Sequence, residues 1–320
     1  YSAVAGAVAN IVGERKGINR PIDQLLPDIT PEKKHQREQV LQLEFGFNIE
    51  EIIDMTRDAG VGLILGAPCP NYRDYIETGW RFGSNVPPEQ QFGLMESFYS
   101  ALDELRKGDL DACERDLRKL AAEHYFSPLH FWLGRCLEQK GEFKGASEEY
   151  SMALETSRAG GRITKGLKKA MRDAAEGNSI TFVDFLPKFA AESPNGIVGR
   201  TLILDNCHPN IRGHQIMARA ILAAGKAAGL IATDCSLDGF EGVMSKFTED
   251  NLDWLPASFP KEDIANWPKP MPEITLDGYT AGMAEWLADY LEDKSPESSK
   301  EWRQKADMLK RGPAADNYGQ

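Results

Sequence analysis

Long apolar runs are missing from this 320-residue sequence. No stretch reaches the roughly eighteen uninterrupted apolar residues that a membrane-spanning helix requires. The small-residue segment at residues 1–12 is too short to cross and lacks a basic leader, so it reads as the tail of a helix. Cysteine is sparse as well. Cys69, Cys113, Cys136, Cys207 and Cys235 are an odd and scattered set with no Cys-x-x-Cys pair, which argues against a dense disulfide framework or a metal site of that type. Positive charge is short: 37 Lys and Arg face 49 Asp and Glu, a net charge of −12. The one basic cluster, Arg162 to Arg172, has the spacing of a solvated helix face, so no nucleic-acid partner is expected. No cofactor and no metal is expected either.

What is present suffices for a core, at 42% apolar residues. Helical periodicity marks residues 1–16, 32–59, 163–176 and 186–191, with a proline-punctuated loop at 17–31 and a helix stop at Gly60. Short continuous apolar runs at 61–67 and 180–185 have the composition of strands buried between helices, and 201–204 reads as a third strand. Helix, glycine and buried strand together are half of a βαβ unit. The loop at 68–74 leaves the carboxyl end of the first strand, where open α/β sheets place their sites. Asn71, Arg73 and Asp74 are therefore candidate site-lining residues, with ordinary turn chemistry as the competing account. Asp184, at the end of the second strand, either lines the same site or caps the helix that follows.

Residues 94–157 repeat at an offset of 33. Gly108 falls on Gly141, Ala101 on Gly134, Cys113 on Ala146, Leu117 on Tyr150 and Leu120 on Ala153, close to the 34-residue period of tetratricopeptide repeats. Two such units are too few to stand alone and should lean on neighbouring structure. His124, His130 and Trp132 fall here and read as structural. Residues 235–272 mix prolines with Phe240, Phe247, Trp254, Phe259 and Trp267, which suits a segment wrapped over a surface. Two further helices follow at 280–292 and 296–310, before a polar end.

The chemistry concentrates at Asp205-Asn206-Cys207-His208-Pro209-Asn210. Pro209 suits the first position of a helix, which puts His208 at or beside its N-cap. If the Asp205 carboxylate accepts the ring Nδ1–H, Nε2 is left as a general base and the cation it becomes is stabilised. The plainer alternative is that both residues only cap a turn and a helix. His214 lies six residues on and points away from His208 on a helix, so a metal site of Asp205, His208 and His214 is awkward.

Asp-x-x-His-Pro-Asn-x-x-Gly-His before an Ala-rich helix resembles the C-terminal block of the SGNH (GDSL-type) hydrolases. The resemblance takes in Arg162, Val183-Asp184, Gly196-Ile197-Val198-Gly199 and Pro68-x-Pro70-Asn71-x-Arg73-Asp74, the last like a loop of the subgroup with inserted tetratricopeptide repeats. It implies an α/β fold: a three-layer αβα (flavodoxin-like) sheet, incomplete at its N-terminal side, with an inserted helical TPR-like hairpin region. Residues 1–90 and 161–230 would form the hydrolase part, 91–160 the repeats, and 231–320 a wrapping segment with terminal helices.

The resemblance also implies Asp205 and His208 as catalytic residues, with Asn71, Arg73, Asp74, Asp184 and Asn210 near them, and an ester or O-acyl substrate on a lipid or glycan. An extracytoplasmic or membrane-associated location follows from the resemblance alone. The family's Gly-Asp-Ser nucleophile block and its Gly-x-Asn-Asp oxyanion block do not occur in these residues. Ser84 and Ser179 lack a strand-to-helix setting. The expected serine therefore lies before Tyr1 or on a companion chain. The alternatives are a protein-interaction subunit that works through the repeats, and an inactive hydrolase serving as a scaffold.

Overall fold

The computed structural model describes residues 31–76, 82, 86–157, 162–232, 234 and 274–311. The helix expected at 1–16, the loop after it, the wrapping segment at 235–272 and the polar end at 312–320 lie outside the described residues.

Helix α1 (Pro31–Asp58) ends as its glycine requires. Gly60 takes φ 64°, and the N–H groups of Gly60 and Val61 close back on the carbonyls of Arg57 and Thr56. Strand β1 (Ile64–Ala67) follows and pairs in parallel with β2 (Thr181–Asp184), Ile64 opposite Thr181 and Ala67 opposite Asp184. Helix α6 (Lys165–Gly177) leads into β2. Successive side chains alternate across the two strands, so each face has its own core. Leu65 and Ala67 pack with Ile49 and Ile53 of α1 and Met171, Ala174 and Ala175 of α6. Val183 packs on the other face with Phe189 of α7 (Leu186–Ala191), Ile216 of α8 (Ile211–Ala227), and Val198, Leu202 and Ile203.

The three-layer αβα sheet expected from the resemblance does not form. The described residues are mostly helical, and their only sheet has two strands. The apolar run at 201–204 shows why the expectation fails. Leu202 N–H and Ile203 N–H both donate to Gly199 O, Leu204 N–H donates to His208 O at 2.8 Å, and Asn210 N–H donates to Leu202 O at 2.9 Å. These backbone groups are used within the loop and cannot extend a ladder. Leu202 and Ile203 are buried by packing alone.

Most of the apolar core lies between the strands in sequence. Helices α2 (Pro88–Lys107), α3 (Leu110–Glu123), α4 (Ser127–Gln139) and α5 (Phe143–Thr156) form two hairpins whose second helices start 33 residues apart. Gly108 and Gly141 sit at equivalent turns with φ 83° and 80°. The positions paired by the repeat face inward, Ala101, Cys113, Leu117, Ala146 and Tyr150 among them. Two hairpins leave one side open, and a third closes it. Helix α9 (Leu276–Leu291) packs on α2 and folds back into α10 (Pro296–Arg311), so that Met283 and Leu287 join Phe98, Phe126 and Leu133 in one cluster. Tyr99 meets Trp302 edge-on at 4.9 Å, and Arg106 Nε donates to Asp277 at 2.9 Å.

Candidate active site

The loop from Gly199 to Asn210 is pinned before any chemistry is considered. A Cβ at Gly199 would lie 2.3 Å from Asp74 Oδ2, so only glycine lets the two loops approach. Gly213 is tied in the same way, since a Cβ there would meet Leu202 O and Pro209 Cβ at 2.7 Å. The helix begins later than the proline suggests. Ile211 opens α8, and the N-cap is Asn210, whose Oδ1 accepts Gly213 N–H at 2.9 Å and whose Nδ2 donates to Thr201 O at 2.8 Å. His208 is thus a loop residue, two positions short of the cap.

Asp205 divides its carboxylate between two tasks. Oδ1 accepts the backbone N–H groups of Cys207 at 2.9 Å and His208 at 2.8 Å, a tight Asx turn. Oδ2 lies 2.6 Å from His208 Nδ1. Partial burial pushes the Asp205 pKa up, but the hydrogen bonds from Cys207 and His208 outweigh it and hold the carboxyl below its usual range. The His208 side chain is 73% exposed and Asp205 39%. Among the described residues, Nε2 of His208 makes no hydrogen bond. The carboxylate on Nδ1 selects the tautomer with its lone pair on Nε2.

Of the remaining candidates, Asn71 alone hydrogen-bonds to the Asp205–His208 segment of this loop. Fully buried, it donates Nδ2 to Asp205 O at 2.9 Å, and its backbone N–H donates to Asn206 O at 3.0 Å. Its Oδ1 accepts Asp74 N–H at 2.8 Å. Arg73 turns toward the helical hairpins, and Asp74 bridges the hairpins and the start of the loop. Arg73 Nε donates to Glu138 at 2.8 Å, while Asp74 accepts from Arg135 Nη2 at 3.1 Å and from Arg200 N–H at 2.8 Å. Tyr150 O–H donates to the same Glu138 at 2.8 Å. Asp184 faces α6, where it pairs with Lys168 at 3.1 Å and Arg172 at 3.3 Å, and it accepts Leu186 N–H at the start of α7. No contact joins it to Asp205 or His208 among the described residues. Asn210 serves as a cap.

Two features were not legible in the spacing. His130 has an acid beside it after all: Glu149, across the α4–α5 hairpin, lies 2.8 Å from its Nδ1. A pair separated by nineteen residues has no signature in a single sequence. Cys207 Sγ lies 3.9 Å from His208 Nδ1, and donor atoms of Asp205, Cys207 and His208 all fall within 4.8 Å of one another. Burial and the Asp205 charge push the Cys207 thiol up, against a smaller opposing effect of Arg162. Ser179 holds φ 55° just ahead of β2, at the end of the strand opposite to the loops that meet Asp205. Ser84 lies outside the described residues.

No family model, no curated protein and no solved structure matches the chain.

Proposed function

We propose that this chain carries the acid–base half of an ester hydrolase or O-acyl transferase, with Asp205 orienting His208 as general base. The observation that supports this is the 2.6 Å contact from Asp205 Oδ2 to His208 Nδ1, on a ring whose Nε2 makes no hydrogen bond among the described residues. In the reaction, Nε2 takes the proton of a serine hydroxyl as its oxygen adds to the acyl carbonyl carbon. The same proton then passes to the departing alkoxide as the ester bond breaks, and water repeats the cycle to release the acid. The serine is carried outside these residues or on a companion chain. The substrate class is an O-acyl group on a lipid or glycan.

The test uses the chain purified with whatever accompanies it. A serine-directed fluorophosphonate probe should label one polypeptide of the preparation, and His208→Ala should abolish both labelling and ester turnover. An unlabelled preparation that turns over no ester overturns the proposal.

A second reading, partner binding through the hairpins, is supported by a cavity of about 340 Å³ between α5 and the loop that carries Ile197 and Val198. Ser147, Ser151 and Met152 line it from α5, with Lys165 and Lys168 from α6. On that reading Ser151→Trp abolishes association and His208→Ala leaves it intact.

A further inference from the structure

The same loop carries a second arrangement of donors that ester chemistry does not use. Asp205, Cys207 and His208 offer a carboxylate, a thiol and an imidazole within four consecutive residues, with their donor atoms no more than 4.8 Å apart. Oxygen, sulphur and nitrogen in that combination match the preferences of Zn2+, which tolerates all three and imposes no geometry of its own beyond four-coordination. We infer that Asp205, Cys207 and His208 form a binding site for Zn2+, with a fourth coordination position open to water.

Distances decide whether the loop can close on an ion. With zinc–sulphur near 2.3 Å and zinc–nitrogen and zinc–oxygen near 2.1 Å, a tetrahedral ion holds its ligands about 3.4–3.6 Å apart. Cys207 Sγ and His208 Nδ1 stand at 3.9 Å and need to approach by only a few tenths of an ångström. Asp205 Oδ2 and His208 Nδ1 stand at 2.6 Å, a hydrogen-bond length, and need to part by less than about 1 Å. Donor atoms of Asp205 and Cys207, no more than 4.8 Å apart, need to close by at most about 1.2 Å, so small rotations of all three side chains are required. As the ion enters, Nδ1 gives up the proton it shares with Asp205, Nε2 takes one from solvent so that the ring stays neutral, and the Cys207 thiol releases its proton to solvent.

The backbone is already arranged for this. Asp205 Oδ1 is tied to two backbone N–H groups, so the carboxylate is aimed before any ion arrives. Asn71 holds the carbonyls of Asp205 and Asn206 from a buried position, so the loop cannot open freely. Hydrogen-bonded neighbours of this kind orient metal ligands and raise affinity. Three ligands on one turn also keep the ordering cost of binding low.

The inference stands on donor geometry and needs no ester chemistry. On the hydrolase proposal, ion and base are mutually exclusive, because both require Nδ1 of His208, and zinc then suppresses turnover.

The test is a titration of the full chain with Zn2+ in competition with a chromophoric chelator, with no ester present. One equivalent should bind. Cys207→Ala and Asp205→Asn should each weaken it at least about tenfold, with the helical circular dichroism retained. Cys235→Ser, as a control at a second cysteine, should leave it unchanged. Co2+ in place of Zn2+ should show a thiolate-to-metal absorption band that disappears in Cys207→Ala. Saturation at one equivalent in the Cys207→Ala protein, or no binding by the natural sequence at about 100 μM Zn2+, overturns the inference. Because binding is read directly, either result leaves the question of ester turnover to its own assay.

Discussion

Two histidine–carboxylate pairs in one molecule show how little a hydrogen bond alone says about function. His130 and Glu149 lie 2.8 Å apart, and His208 and Asp205 lie 2.6 Å apart. The first pair joins two helices of the hairpin region, with 13% and 18% of the side chains exposed and Arg118 3.6 Å from the same carboxylate. Its acid is shared with a guanidinium and its imidazole is largely covered by the hairpin, so it ties α4 to α5. The second pair sits on a loop, its acid braced by backbone N–H groups and its ring in solvent. An imidazole held from behind and open in front can accept a substrate proton; one largely enclosed between helices is better placed to stabilise.

Substitution of the two acids is the sharpest way to break this contrast. Asp205→Asn removes the group that selects the tautomer and should lower ester turnover by about 10²- to 10⁴-fold with little change in melting temperature. Glu149→Gln should leave turnover at its natural level and lower the melting temperature instead. Equal losses of turnover in both variants would erase the distinction.

The bridge between the two regions should be next in size. Asp74→Ala leaves the largely buried Arg135 guanidinium without this carboxylate and removes the acceptor of Arg200 N–H, at a cost of about 3 kcal/mol in denaturant unfolding. A smaller loss is expected inside the hairpins. Gly134→Ala drives a methyl to 2.8 Å from the Tyr150 ring, which overpacks the α4–α5 contact by about 1–3 kcal/mol while the 205–208 loop keeps its amide chemical shifts.

Acid gives the mildest effect. The Asp205 carboxyl titrates below the ordinary carboxylate value, so the stability it contributes is complete above about pH 4 and is lost as pH falls through its lowered folded-state value. Amide resonances of Cys207 and His208 should shift in that window, with the Ser127 hydroxyl contact to Ala153 O unaffected.

Local patterns were legible to the extent that they were local. Gly60 announced a helix end because its left-handed backbone suits glycine. The 33-residue offset announced the hairpins because each unit must bury the same positions against its neighbour. The Asp205–His208 contact spans three residues and lay within reach of a spacing argument. The sheet was misjudged because an apolar run records burial and not hydrogen-bond partners. Leu202 and Ile203 are buried with Phe189 and Ile216 while the amides of 202–204 close on Gly199 and His208. The α8 start was misplaced for a related reason: Asn210 offers a capping side chain, and a cap outranks the tolerance of Pro209 for a first turn. Arg73 and Asp74 were set beside the site by their place after a strand, yet their charge is answered by Glu138 and Arg135, sixty or more residues away.

The buried amide of Asn71 has a kinetic consequence. It grips a loop 134 residues downstream, and the hairpin region lies within that span. Local helices form quickly, whereas a contact across so long a stretch must first meet the entropy of closing it. In refolding from denaturant, far-ultraviolet ellipticity should recover ahead of the amide resonances of Asn71, Asp205 and His208, since the segments at 68–74 and 199–210 come together only after the helices between them have shortened the path.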